Sequence, residues 1–247
     1  MDLDDFRSQI LNGILTSNDD SIRKQKEEMF FALLEDNPCL TLQLLIVNSN
    51  SNDPSNAASI ILLGRTASLI ADKLVEIGDE QFHQDFQSSL LSLLQNSTLS
   101  SNLLSNISFI ISIYSKIYAP NWPSLLEGLF QIIQNSEDPS FAIDCLTYCI
   151  SNNSIICNEQ ILEVIIQLTQ GIFENIEVLI PQFLSAVKLI FVLYRCESID
   201  EAFKSNLKVY SDKIIGVNCE NSESSLHNNF MIELSNFTDE NIDFFES

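Results

Sequence analysis

Residues Asn121 to Asn152 read NWPSLLEGLFQIIQNSEDPSFAIDCLTYCISN, and this stretch decides the fold. Trp122-Pro123 opens a helix, with Pro at an early position where its missing N–H is not needed. Leu125, Leu126, Leu129, Phe130, Ile132 and Ile133 follow at helical spacing. Asn135-Ser136-Glu137-Asp138-Pro139 then ends this helix and starts another, with Asp138 as the N-cap and Pro139 at N1. Phe141, Ala142, Cys145, Leu146, Cys149 and Ile150 make the second apolar stripe. A pair of short amphipathic helices cannot bury both stripes by itself, so it requires neighbours of the same kind.

The rest of the chain supplies them. Helical periodicity runs over Leu3–Leu15 and Asp20–Leu34, then from Asn37-Pro38 through Ile46. The polar loop 48–56 ends in Asp53-Pro54, the same arrangement as Asp138-Pro139. A long helix is predicted from Ser55 to Ile77, with Ala58, Ile61, Leu62, Ala67, Ile70 and Leu74 inward. Gly78 breaks the chain, and Gln81–Leu94 with Leu99–Tyr118 forms the next pair. Beyond the quoted stretch, Asn158–Phe173 pairs with Ile176–Tyr194, and Ile199–Ile215 with Ser225–Phe245. Pairs recurring at roughly 40 residues have the HEAT/armadillo period. The expected fold is therefore all-α, a right-handed α-solenoid of about six HEAT (armadillo-like) helix pairs. The loops at 48–56 and 217–225 are too short for linkers, so residues 1–247 are expected to form a single solenoid. Phe230, Met231, Phe237, Phe244 and Phe245 resemble an interface more than a polar cap, which points to a segment of a longer solenoid.

Composition narrows the function. The 247 residues carry 34 Asp and Glu against 12 Lys and Arg, a net charge of −22. Such a surface repels phosphate backbones, so direct nucleic-acid binding is not expected; it attracts basic partners instead. Only 6 Gly are present, and no Gly-rich phosphate loop is found. Leu103–Tyr118 and Val178–Tyr194 are apolar but interrupted by Lys116, Asn106, Pro181, Gln182 and Lys188, and they fall short of the roughly 20 apolar residues of a membrane span. The acidic start Met1-Asp2-Leu3-Asp4-Asp5 is unlike a secretory signal, and a reducing compartment is the default.

No catalytic constellation stands out, and an enzyme is not expected. The two histidines, His83 and His227, read as solvated or partly packed helix residues. The carboxylate pairs Asp79-Glu80 and Asp239-Glu240 are sequence neighbours, which do not face one another on a helix. Among the six cysteines (Cys39, Cys145, Cys149, Cys157, Cys196, Cys219) there is no C-x-x-C pair. Cys145 and Cys149 share a helical face with Cys157 nearby, which would suit a metal; without an adjacent His, buried structural thiols are the preferred reading. Neither metal nor cofactor is expected.

Several segments resemble one family. Ser17–Glu28, SNDDSIRKQKEE, looks like the start of the importin-β (karyopherin-β) superfamily, whose second helix opens V-R-K-Q-A-E-E; Lys26 stands where a small residue is usual. Ser59–Thr66, SIILLGRT, resembles the A-A-V-L-L-R-R segment of the second repeat, with Arg65 on its last basic residue and Gly64 in place of another. Asn121-Trp122-Pro123 followed by Leu125-Leu126 is similar to the family's N-x-W-P-x-L-L. Ile180–Val187, IPQFLSAV, looks like L-P-x-F-L-x-A-V of the importin-β3 branch. The importin N-terminal-like region covers about residues 1–120.

The resemblance implies a nuclear transport receptor, or its N-terminal part, shuttling between cytoplasm and nucleus through the pore. Its partners would be a Ran-type small GTPase in the GTP form, basic cargo proteins and Phe-Gly nucleoporins. Ran would lie on the concave face made by the second helices. The matching positions are Arg23, Lys24 and Arg65, with Asn106 and Asp144 on later second helices as further candidates. For Arg23 the structural alternative is a plain i,i+4 ion pair with Glu27. The alternative function is a generic HEAT scaffold or adaptor without Ran binding.

Overall fold

A computed structural model describes residues 1–70, 76, 78–118, 122–136, 138–152, 155, 161–165, 167, 185–186, 188–189 and 192–193. Among these residues the regular structure is helical, with no strand. Backbone packing groups the chain into two compact units, Met1–Ser136 and Glu137–Ser247.

The N-terminal helix is not uniform. Asp2 caps α1 (Leu3–Phe6) by accepting from the Asp5 N–H at 2.9 Å. The chain continues through a π-helical stretch, Arg7–Leu11, into α2 (Asn12–Thr16). One continuous α-helix was expected here. The wider turn lets Phe6, Ile10 and Leu11 all be buried. It also directs Arg7 to Asn48, whose Oδ1 accepts from Arg7 Nε at 2.5 Å.

The helices that follow are α3 (Asp20–Asp36), α4 (Pro38–Ser49), α5 (Asn56–Leu69), α6 (Glu80–Leu94), α7 (Ser101–Tyr118) and α8 (Leu125–Asn135). Within a pair, α2 packs on α3, α4 on α5 and α6 on α7. Between pairs, α4 packs on α6 and α6 on α8, while α5 packs on α7. Thus α4, α6 and α8 contact in series and α5 contacts α7, whereas α3 packs on α4. The second unit contains α9 (Ser140–Ser151), which buries Ala142, Ile143, Cys145, Leu146, Cys149 and Ile150.

Among the described residues one turn recurs before α3, α5, α7 and α9. Before α3, Asp19 Oδ1 accepts from the Ser21 N–H (2.8 Å) and hydroxyl (2.7 Å). Before α5, Asp53 Oδ1 holds the N–H (2.9 Å) and hydroxyl of Ser55. Before α7, Asn96 Oδ1 does the same for Thr98 (3.0 and 2.7 Å), and before α9 Asp138 does so for Ser140. The short acceptor satisfies a backbone donor in the turn that leads into the helix.

Several boundaries differ from expectation. Helix α5 ends at Leu69 rather than Ile77, and residues 71–75 and 77 lie outside the described residues. Ile61, expected inward, is 45% exposed, because Ile60, Leu62 and Leu63 take the buried positions. Helix α8 starts at Leu125, after a turn in which the Trp122 carbonyl accepts from the Leu125 N–H at 3.2 Å. Pro139, not Asp138, is the residue flanking α9, and Asp138 reaches across it to Ser140. Gly78 has φ +78°, a left-handed turn that leads straight into the Asp79 cap of α6. The expected pair Ile199–Ile215 and Ser225–Phe245, most of the pair before it, the IPQFLSAV segment apart from the buried Ser185 and Ala186, and the C-terminal phenylalanines lie outside the described residues.

Candidate functional site

Three of the five candidate residues are exposed cations on second helices. Arg23 and Lys24 are neighbours on α3, and Arg65 stands on α5. Arg23 is ion-paired, but to Asp20 at 2.7 Å rather than to Glu27. The pair is an exposed i,i+3 contact worth a few tenths of a kcal/mol at most, about 0.2–0.5.

Asn106 has a different setting. It sits half-buried on α7, and its Nδ2 donates to the Ile60 carbonyl of α5 at 3.2 Å. A Cβ on Gly64 would lie 2.6 Å from Asn106 Oδ1, so the absence of a side chain at 64 is what admits the Asn. The replacement of a basic residue by Gly64 is thereby matched across the helix contact. The other departure, Lys26, is matched similarly: its aliphatic stem fills the space that a side chain on Gly13 would need. Arg65 and Asn106 are thus brought to one place, the junction of α5 and α7. Asp144, half-buried on α9, belongs to the second unit.

Electrostatically the turns matter most. The Ser21 hydroxyl and N–H hold the Asp19 carboxyl below the usual carboxylate range, and Ser55 does the same for Asp53, aided by Arg7. Arg7 Nε lies 3.8 Å from Asp53 Oδ2 and also donates to Asn48 Oδ1. Asn48 is fully buried, and its Nδ2 donates to the hydroxyls of Ser55 (3.0 Å) and Ser59 (2.8 Å). This polar hub joins the N-terminal helix to the α4–α5 corner.

His83 corrects the sequence reading. It is 3% exposed, in the α6–α7 interface, with Nδ1 2.6 Å from Tyr114 Oη. Its ring stacks on Tyr118 at 4.3 Å between centroids. Phe86 and Trp122 flank Tyr114 at 5.2 and 5.5 Å. Burial pushes the Tyr114 phenol well above its ordinary pKa, against a smaller opposing effect of the Gln87 hydrogen bond. The imidazole is closed in by aromatic rings, and the cluster packs the α6–α7 interface. His227 lies outside the described residues.

The cysteines described are all free thiols: Cys145 and Cys149 are buried, and Cys39 is half-buried. Burial raises the Cys145 pKa, reinforced by Cys149, and burial also raises that of Cys39. Thiols held neutral in this way are poor nucleophiles. Among the described residues no group of His, Cys, Asp and Glu could hold a metal ion, and no helix is long and apolar enough to cross a membrane. Cys157, Cys196, Cys219 and Asp239-Glu240 lie outside the described residues.

Sequence reasoning missed one surface. Helices α5 and α7 contain no Asp or Glu, and they expose Ile61, Leu69 and Phe109 beside Arg65 and Lys116. Tallying charge helix by helix would have found the first property; the exposure required the packing. No family model, curated protein or solved structure matches the chain.

Proposed function

We propose that the chain is a HEAT-type α-solenoid of about six helix pairs that acts as a nuclear transport receptor, or as the N-terminal part of one. It binds a Ran-type GTPase in its GTP form through its second helices and takes part in carrying basic cargo. The observation that carries this reading is the coincidence of packing and charge. The first helices α4, α6 and α8 pack in series, the second helix α5 packs on α7, and the cations Arg23, Lys24 and Arg65 are exposed on the second helices α3 and α5. The recurrence of one turn before α3, α5, α7 and α9 supports a repeat. The residues similar to importin-β sequences supply the specific partner. An excess of 34 acidic over 12 basic residues suits basic cargo, whose encounter it would accelerate. Phe-Gly nucleoporins and shuttling through the pore belong to the same reading.

Titration calorimetry against Ran loaded with a non-hydrolysable GTP analogue, and separately with GDP, tests it. Binding to the GTP form alone is expected. A folded chain that binds neither form overturns the receptor reading and leaves a helical scaffold for other proteins.

A further inference from the structure

Helices α5 and α7 pack directly against each other, with Asn106 lying against Gly64. The exposed side chains near that contact include Ile61 and Arg65 on α5 and Phe109 on α7, with the small Ser68 and Ser105 between them and the helix ends. The same exposed stripes continue to Leu69 and Lys116. Ile61, Phe109 and Leu69 are 45%, 47% and 64% exposed, large apolar groups left facing water.

The charge of this face is opposite to that of the chain. The protein has 34 carboxylates, yet neither helix carries one. Arg7 and Arg23 are ion-paired, whereas among the described residues Arg65 and Lys116 have no carboxylate within salt-bridge distance. Two exposed cations beside three exposed apolar side chains complement a surface that offers carboxylates beside apolar groups. A basic ligand would meet repulsion here while finding carboxylates elsewhere. A nucleic acid would gain two phosphate contacts against a net charge of −22.

We propose that the exposed face of α5 and α7 docks an acidic amphipathic protein segment, one bearing Asp or Glu next to Leu- or Phe-type side chains. This is a second binding chemistry, distinct from the attraction of basic cargo by the remaining surface, and it does not depend on the chain being a transport receptor. The apolar side chains supply the buried area and the cations select the partner's sign.

Fluorescence anisotropy on the whole chain at about 150 mM salt tests this. The probes are a fluorescein-labelled amphipathic peptide of Glu, Leu, Phe and Ser, and its counterpart with Lys in place of Glu. Saturable binding of the acidic peptide is expected, weakened at least tenfold by Phe109→Ser and by Arg65→Glu, and unchanged by Val47→Ser, which alters an exposed apolar residue of α4. The Lys peptide should show no dependence on Phe109. Absence of saturable binding by the acidic peptide overturns the proposal. So does binding that ignores Phe109→Ser and Arg65→Glu, or that falls equally with Val47→Ser. Far-UV circular dichroism confirms that each variant is folded, and Arg65→Glu suffices if Phe109→Ser is not. A chain that binds the acidic peptide but neither form of Ran keeps this surface and loses the receptor reading; Ran-GTP binding without peptide binding does the reverse.

Discussion

His83 Nδ1 lies 2.6 Å from the Tyr114 hydroxyl across the α6–α7 interface, with both residues out of solvent. This contact ties the two helices of one pair by a polar bond within an aromatic cluster. Inside a low-dielectric interior such a bond is worth most when each partner is satisfied, and its loss is correspondingly expensive.

Replacing His83 by Ala removes the stacking on Tyr118 and one partner of Tyr114 together. The expected loss is about 3 kcal/mol, read from the urea midpoint. A loss under about 1 kcal/mol would mean that the ring contributes little packing.

Tyr114 also sets a pH dependence. Burial raises its folded-state pKa, so the folded chain keeps the phenol proton where the unfolded chain, with Tyr near 10, has released it. The resulting stability is complete below about pH 10 and is lost as pH rises further, toward the folded value. Tyr114→Phe should flatten the fall of the urea midpoint above about pH 10. An unaltered alkaline slope would contradict the burial account.

The turns before the second helices give a contrast with acid. The lowered pKa values of Asp19 and Asp53 add stability that is present above the ordinary carboxylate pKa and lost as pH falls through the lowered one. Asp53→Ala should therefore destabilise at neutral pH, by an amount that shrinks as pH falls below the ordinary carboxylate range. Asn96→Ala removes the same kind of turn without a titrating group. It should cost about 1 kcal/mol at either pH. Parallel pH profiles for the two variants would refute the electrostatic part of this argument.

Gly64 and Asn106 should behave as a coupled pair. Gly64→Ala places a Cβ 2.6 Å from Asn106 Oδ1 and is expected to cost about 1–3 kcal/mol. In an Asn106→Ala background the penalty should shrink, since the obstructing amide is gone. A double-mutant cycle measures the difference, and simple additivity would show that the clash is relieved elsewhere.

Arg65→Glu reverses an exposed charge on α5 that makes no ion pair among the described residues. Under the receptor reading it weakens Ran-GTP binding at least tenfold, about 1.4 kcal/mol, with the helical circular dichroism unchanged. Unaltered affinity in calorimetry would remove Arg65 from that site.

The sequence by itself determined the helices and much of their punctuation. Apolar spacing located α3, α4, α6, α7 and α9 within a few residues. Asp53-Pro54 and Asp138-Pro139 marked second-helix starts, because an acceptor two residues before a backbone donor is a local arrangement that needs no tertiary partner. The π-helical stretch at Arg7–Leu11 was not legible, since the extra residue in its turn is justified only by what Phe6, Ile10, Leu11 and Arg7 meet on other helices. Only tertiary packing decided that His83 is buried while Ile61 faces solvent. A polar ring can enter a core when a distant hydroxyl such as that of Tyr114 satisfies it, and an apolar side chain is left outside when its neighbour Ile60 fills the inward position. The candidate cations could be read from the sequence as residue types on second helices. Their exposure, the Gly64–Asn106 contact beside Arg65 and the carboxylate-free face around it depend on which helices touch, and helix contacts are set by side-chain shape across segments more than 40 residues apart.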